Sequence, residues 1–191
     1  MKLDLDSREG WPDNLRILLD AYPRNVWRDH ANLGEMSRFW LHIHAQFRSL
    51  GRELSEMGEA FREGRMEATD YRALYPRRLS QFLGGLEGHH SIEDYQFFPL
   101  FTAAEPRLAR GFEVLENDHE SIHAAMVAAY QSANALVATL DRDRDAMMKA
   151  AEKHDGDGER LLGMLTHHLD DEEDLVIPLI LDRGEGPLGI S

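Results

Sequence analysis

Ten histidines stand in a chain with no cysteine, and several of them share helical spacing with carboxylates. His89 precedes Glu93 by four residues, His168 precedes Glu172 by four, and His119 precedes His123 by four. On a helix, residues four apart lie on one face with Cβ atoms about 5–6 Å apart, so each pair can offer two ligand atoms to one cation. The first two pairs belong to a longer correspondence. His89, Glu93 and Pro99 recur as His168, Glu172 and Pro178, a constant separation of 79 residues. The same shift carries Leu83-Gly84 onto Leu162-Gly163, Leu86 onto Leu165, Ile43 onto Ile122 and His44 onto His123. Two helix pairs related in this way would face each other across a bundle core.

These histidines sit on otherwise apolar stripes. Burying several imidazoles and two carboxylates costs several kcal/mol for each uncompensated group, on the order of the penalties for isolated buried polar groups, and a bound cation compensates them together. Without cysteine there are no thiolate ligands, disulfides or thiol catalysis, so a transition metal would have to be held by His and carboxylate alone. The competing reading is a network of satisfied histidines and acids without metal, which runs against the rarity of titratable groups in protein cores.

The chain of 191 residues suits one domain with a sizeable core, and 42% hydrophobic with 29% charged residues is the balance of a globular protein. A net charge of −14 repels phosphate backbones and argues against a nucleic-acid partner. The N-terminus, Met1-Lys2-Leu3-Asp4-Leu5-Asp6, is acidic and lacks the apolar segment of a secretory signal, so a cytoplasmic location is expected. The most apolar run, Leu175 to Leu181, is too short to span a bilayer and contains Pro178, so no membrane partner is expected.

The elements that would position the site are helices. Residues 1–30 hold a short amphipathic helix with Pro12 at its start and Pro23 as its stop. A long helix follows Asn32 and runs to about Arg62, with Met36, Phe39, Trp40, Ile43, Phe47, Leu50, Leu54, Met57 and Phe61 at spacings of three and four. The second long helix has one turn near Tyr71 to Tyr75, resumes at Pro76 and closes near Phe98. The third runs from about Glu105-Pro106 towards Leu140. A fourth runs from about Glu159 to Leu181, after a break at Asp155-Gly156-Asp157-Gly158 that reads either as a loop or as a flexed helix. No stretch alternates with period two, so no sheet is predicted. The expected fold is an all-α, up-down four-helix bundle over residues 31–182, with an N-terminal segment 1–30 and a frayed tail 183–191.

With this arrangement the chain resembles the hemerythrin-like (HHE cation-binding) domains over roughly Ala31 to Leu181. The resemblance implies a non-heme di-iron centre in a four-helix bundle. Its ligands would be His44 from the first long helix, His89 and Glu93 from the second, His119 and His123 from the third, and His168 and Glu172 from the fourth. Glu93 and Glu172 would bridge two iron ions (Fe2+/Fe3+) that also share an oxo or hydroxo group. One iron would carry His119, His123 and His168, and the other His44 and His89. The 79-residue shift places Trp40 opposite His119, and tryptophan does not ligate, so the second iron would keep an open position.

Further groups crowd the motifs. His167 with Asp171, and His168 with Glu173, are alternative registers on the fourth helix. His90 and His167 read as spare, so replacing either is expected to leave the metal count unchanged. Asp94, Glu173 and Asp174 read as solvated or as partners of imidazole N–H groups. His42 points away from His44, and His30 and His154 lie outside the stripes. The strict oxygen carriers place an Asp five residues after the last His, whereas this chain has Glu172 four after, as in the wider HHE group.

The function expected is binding or sensing of dioxygen, or of iron or nitric oxide, at the open iron position. A di-iron oxidase or peroxidase is the alternative, and a structural metal-binding bundle a third. The histidine-rich shell favours binding, because five histidines with two carboxylates supply less negative charge to stabilise high-valent iron than the carboxylate-rich shells of di-iron oxygenases. The partner is then dioxygen or another small diatomic ligand, and the sequence leaves the oligomeric state open.

Overall fold

The computed structural model describes residues 3–190, and among them every regular element is helical. Two short helices, α1 (Ile17–Ala21) and α2 (Arg24–Trp27), lead into α3 (Glu35–Arg62) and α4 (Ala68–Ile92). A π-helical turn over Glu93–Phe97 passes straight into α5 (Phe98–Ala104), and a 3-10 turn over Pro106–Leu108 opens α6 (Ala109–Val137). The 40-residue α7 (Arg144–Arg183) and the short α8 (Glu185–Leu188) complete the chain. No described helix is long and apolar enough to cross a membrane.

Each long helix buries residues at steps of three and four, which keeps one seam facing inward. On α3 the seam is Ser37, Trp40, His44, Phe47, Gly51, Leu54, Gly58 and Phe61. On α4 and into the π turn it is Tyr71, Tyr75, Leu79, Phe82, Leu86, His90 and Glu93. On α6 it runs Phe112, Leu115, His119, Ile122, Met126, Ala129, Ala133 and Leu136, and on α7 it includes Leu161, Leu165, His168, Glu172, Leu175 and Leu179. Phe39, which the sequence pattern puts on the inner stripe, is exposed instead.

Two compact units divide the chain, and each takes a piece of all four long helices. Among the described residues, the first comprises 3–45, 89–120 and 166–190. Its main core is Trp11, Leu15, Leu18, Trp40, Phe98, Phe101, Leu108, Phe112, Leu115 and, from the end of α7, Leu175, Val176, Leu179 and Ile180, while Ile177 and Leu181 pack with Trp27 and Leu33. The second comprises residues 46–88 and 121–165. There Phe61 stacks on Tyr71 and Tyr71 on Tyr75, with ring centroids 4.4 and 4.6 Å apart. Buried His154 lies between the Tyr75 hydroxyl, 2.6 Å from Nε2, and the Ser132 hydroxyl, 3.0 Å from Nδ1.

The second long helix runs unbroken through Pro76 instead of resuming there, and three further boundaries differ from the sequence expectation. The Asp155-Gly156-Asp157-Gly158 stretch is helical, so α7 begins at Arg144. Each interior glycine costs about 1 kcal/mol relative to alanine; the i,i+4 pair of Lys153 with Asp157 and the Arg62–Asp155 ion pair at 2.6 Å offset part of that cost. The helix after His89 does not close at Pro99, which sits in the first turn of α5, where a missing N–H does no harm. The tail is packed rather than frayed: Leu188 and Ile190 are buried in the first unit's core. Glu185 accepts from the Ser37 backbone N–H at 2.7 Å and from its hydroxyl at 2.5 Å, fixing the start of α3.

Candidate metal centre

All of the candidate ligands that converge lie in the first unit, on α3, the end of α4, the π turn, α6 and α7. They form two groups in which the ligand atoms lie within 4.8 Å of one another. One is His44, His89, Glu93 and Glu172, and the other is His90, His119 and His168. Six of the seven residues singled out in the sequence are therefore brought together: His44, His89, Glu93, His119, His168 and Glu172. The seventh, His123, is placed at the surface in the second unit, 57% exposed, with Nδ1 2.9 Å from Glu87. The seam of α6 passes through Ile122 and Met126, and one residue beyond Ile122 is about 100° further round the helix.

His90 is the residue that sequence reasoning missed. It is buried, and its ring stacks on His119 with centroids 3.9 Å apart and planes at 5°. The signal was present, because His90 continues the seam Leu79, Phe82, Leu86 at steps of three and four and leads into Glu93. His89, favoured by the 79-residue correspondence, is half a face away and only partly buried.

The imidazoles are held by their outer nitrogens. His44 Nδ1 is 3.0 Å from Glu173 Oε1 and His119 Nδ1 is 2.7 Å from Asp94 Oδ1, while His168 Nδ1 faces Asp118 Oδ2 at 3.5 Å without a hydrogen bond of good geometry. A carboxylate at Nδ1 calls for a proton there and leaves Nε2 as a lone pair. The Nε2 atoms then point at each other, 3.1 Å apart for His44 and His89 and 3.0 Å apart for His119 and His168. Two lone pairs at that distance repel, so each pair must hold either a proton or a cation between them.

The two buried glutamates span both groups. Glu93 Oε1 lies 2.9 Å from His89 Nε2, and its Oε2 lies 3.6 Å from His119 Nε2. Glu172 Oε1 lies 3.4 Å from His44 Nε2, and its Oε2 lies 3.3 Å from His168 Nε2. Despite these distances, neither oxygen of Glu93 nor Oε2 of Glu172 has a hydrogen bond of good geometry, and buried His90 Nε2 has none either. Glu172 Oε1 accepts from the Trp40 indole N–H at 2.5 Å. Orphaned oxygens and nitrogens that converge without bonding one another are what a set of metal ligands presents.

The protein's own charges strain this cluster. Burial and the charge of Glu172 push the Glu93 carboxyl well above the usual carboxylate range. Burial opposes charge on both His44 and His89. Glu172 and Glu173 nevertheless raise His44 to about 9, while His89, opposed further by its neighbouring histidines, falls to about 3. A cation between the groups would relieve the repulsion of the two carboxylates directly. The residues therefore fit a metal, and the chemistry of the donor set, imidazole with carboxylate, fits a transition metal such as iron.

Four long helices in an all-α fold carry His and Glu clusters that could hold a metal ion. The chain belongs to the hemerythrin HHE cation-binding domain family, which it matches over residues 35–180. No curated protein and no solved structure matches it.

Proposed function

We propose that the protein holds two iron ions and binds or senses dioxygen, or another small diatomic ligand such as nitric oxide, at one of them. The observation that carries this reading is the placement of Glu93 and Glu172, each with one oxygen towards each histidine group. In the proposed assignment His90, His119 and His168 hold one ion, His44 and His89 hold the other, and the two glutamates hold both. His90 thus takes the place that the sequence resemblance gives to His123. When bound, the ions would supply a redox-active centre able to take up a diatomic ligand.

The chain's own residues set the conditions for that uptake. The ion with two histidines would have one protein ligand fewer than the other and so an open position, and Trp40, Phe97 and Phe101 form an aromatic wall beside it. Trp40 lies 6.3 Å from both His44 and His89, and 4.8 and 5.9 Å from Phe97 and Phe101, centroid to centroid. Such a wall excludes water and suits a small apolar ligand over a polar organic substrate. Trp40 also fixes Glu172 through its indole N–H.

Metal analysis with optical spectroscopy tests the reading. Protein produced with iron available should contain close to two irons per chain, and the anaerobically reduced form should change its spectrum reversibly on exposure to dioxygen or nitric oxide. At most one metal per chain, or zinc alone after iron-replete production, would overturn it. Irreversible consumption of dioxygen coupled to oxidation of an added organic substrate would favour a di-iron oxidase.

A further inference from the structure

The family match begins at residue 35, yet two residues before it reach the centre. Arg8 is fully buried and donates to Asp118 Oδ2 at 2.5 Å and to Asp171 Oδ2 at 2.6 Å. Asp118 is the carboxylate that faces His168 Nδ1, and Asp171 lies 3.2 Å from His167 Nε2. Arg24 approaches Glu173 Oε2 at 3.3 Å, donates to Asp174 Oδ1 at 2.7 Å and to the Asp170 carbonyl at 2.7 Å. Glu173 is the carboxylate that holds His44 Nδ1. One imidazole from each histidine group is thus backed by a carboxylate, and each of those carboxylates is backed by an arginine.

The two arginines are also built alike. Arg8 rides over the ring of Trp11 at 4.9 Å and Arg24 over that of Trp27 at 5.2 Å, so each is an Arg-x-x-Trp unit. Both tryptophans are buried, and the Trp11 indole N–H donates to the Asp171 carbonyl at 2.8 Å, tying the segment to the turn of α7 that carries Glu172. A guanidinium stacked on an indole and forked onto carboxylates has little freedom left, so it fixes its partners in turn.

We infer that the segment before α3 is a working part of the metal centre, with Arg8 and Arg24 as positioning residues that clamp the carboxylates behind His168 and His44. The inference rests on the proposed metal site. Each arginine fixes the orientation of an imidazole through its carboxylate, and each adds a positive charge that offsets the carboxylate's charge as felt by the metal. The first role slows metal release. The second disfavours the more oxidised, more positively charged state. Arg8, shielded from solvent, acts in a lower dielectric than Arg24, whose side chain is 44% exposed.

The test compares the full chain with Arg8→Gln, Arg8→Lys and Arg24→Gln. Release of bound iron, and separately of bound cobalt(II), to an excess of chelator is timed, and the midpoint potential of the iron form is measured. Release is expected to be about 10–100 times faster in Arg8→Gln, the range found for outer-shell partners of metal-ligating histidines, and several-fold faster in Arg24→Gln. The potential should move to more negative values in both Gln variants and stay near wild type in Arg8→Lys, which keeps the charge. A merely structural arginine would lower thermal stability without moving the potential. Release within twofold of wild type together with an unchanged potential in Arg24→Gln, which is exposed enough to fold, would overturn the inference even if Arg8→Gln failed to fold. The wild-type metal content reports separately on the underlying site: a chain that takes up neither iron nor cobalt overturns both readings.

Discussion

At the scale of single residues, the site separates into groups whose removal should differ in kind. His90→Ala removes an imidazole stacked on His119 inside the second group, so metal affinity should fall by more than the about 10–100-fold typical of outer-shell changes. His123→Ala should leave affinity within about twofold, because its partner is the exposed Glu87 rather than any member of the cluster. Equilibrium dialysis of the two variants checks both outcomes, and a reversed order would return His123 to the site. Trp40→Phe keeps the ring and deletes the N–H donated to Glu172, so it should weaken metal binding by about 10-fold while the fold survives. Much of this was legible in the sequence, where the 79-residue correspondence picks out His44, His89, Glu93, His168 and Glu172, although it pairs His44 with His123, which lies outside the cluster. His90 was hidden because position 169 is Leu, so the correspondence offers it no partner, although its place on the α4 seam was there to be read.

At the scale of elements, the connection before α6 is held by one carboxylate. Glu105 accepts from the Arg107 side chain at two 2.7 Å contacts, from Arg183 at 3.0 Å, and from the Arg107 backbone N–H that starts the 3-10 turn. Arg107 chiefly, against the opposing effect of burial and with help from Arg183, holds the Glu105 carboxyl at about 2. A folded value below the unfolded one, about 4.3, means the ionised group stabilises the fold above that pH and loses its contribution as pH falls through about 2. Glu105→Gln should therefore lower the melting temperature at neutral pH by about 2–4 °C, with the gap to wild type closing on acidification. Thermal melts between neutral and acid pH check this. The π turn makes a second prediction. Deleting the exposed Tyr95 would restore plain α-helix and turn Phe98 and Phe101, both fully buried, away from the core by about 100°. That variant should be insoluble or expanded, judged by size-exclusion chromatography. The π turn could not be read beforehand, and the helical course of α7 through residues 155–158 was one of two readings the sequence left open. Residues of ordinary helix propensity form the π turn, and α7 runs through Gly156 and Gly158 against their low propensity, so packing decides in both places.

For the molecule as a whole, the candidate ligands that converge belong to one of the two units. Metal that binds only the folded chain adds to folding free energy, about 2.7 kcal/mol at a free concentration one hundred times its dissociation constant. The metal-loaded protein should melt higher than the metal-free form. Hydrogen exchange should slow first in residues 35–45, 89–120 and 166–181, with smaller changes in residues 46–88 and 121–165. A uniform slowing would show that the two units open together. The all-helical fold class was legible from apolar spacing alone, because four amphipathic stripes leave no stretch of period two. The role of the first 34 residues was not. Arg8 and Arg24 carry no periodic signal, and their meaning lies in carboxylates more than 100 residues away along the chain.

The π turn also bears on how relatives of this chain should be compared. A π-helical turn holds one residue more than the α-helical turn it replaces, so it amounts to a single-residue insertion absorbed without breaking the rod. Residues up to Glu93 and residues from Phe98 onwards keep their own inward faces only because that extra residue lies between them. A relative that lacks the insertion will match the His89–Glu93 motif or the Phe98–Phe101 core pair under an ungapped alignment, but not both. A one-residue gap between Asp94 and Phe97 is then a structural difference of about 100° in helix phase, and the motif spacing downstream should be counted anew from Phe98.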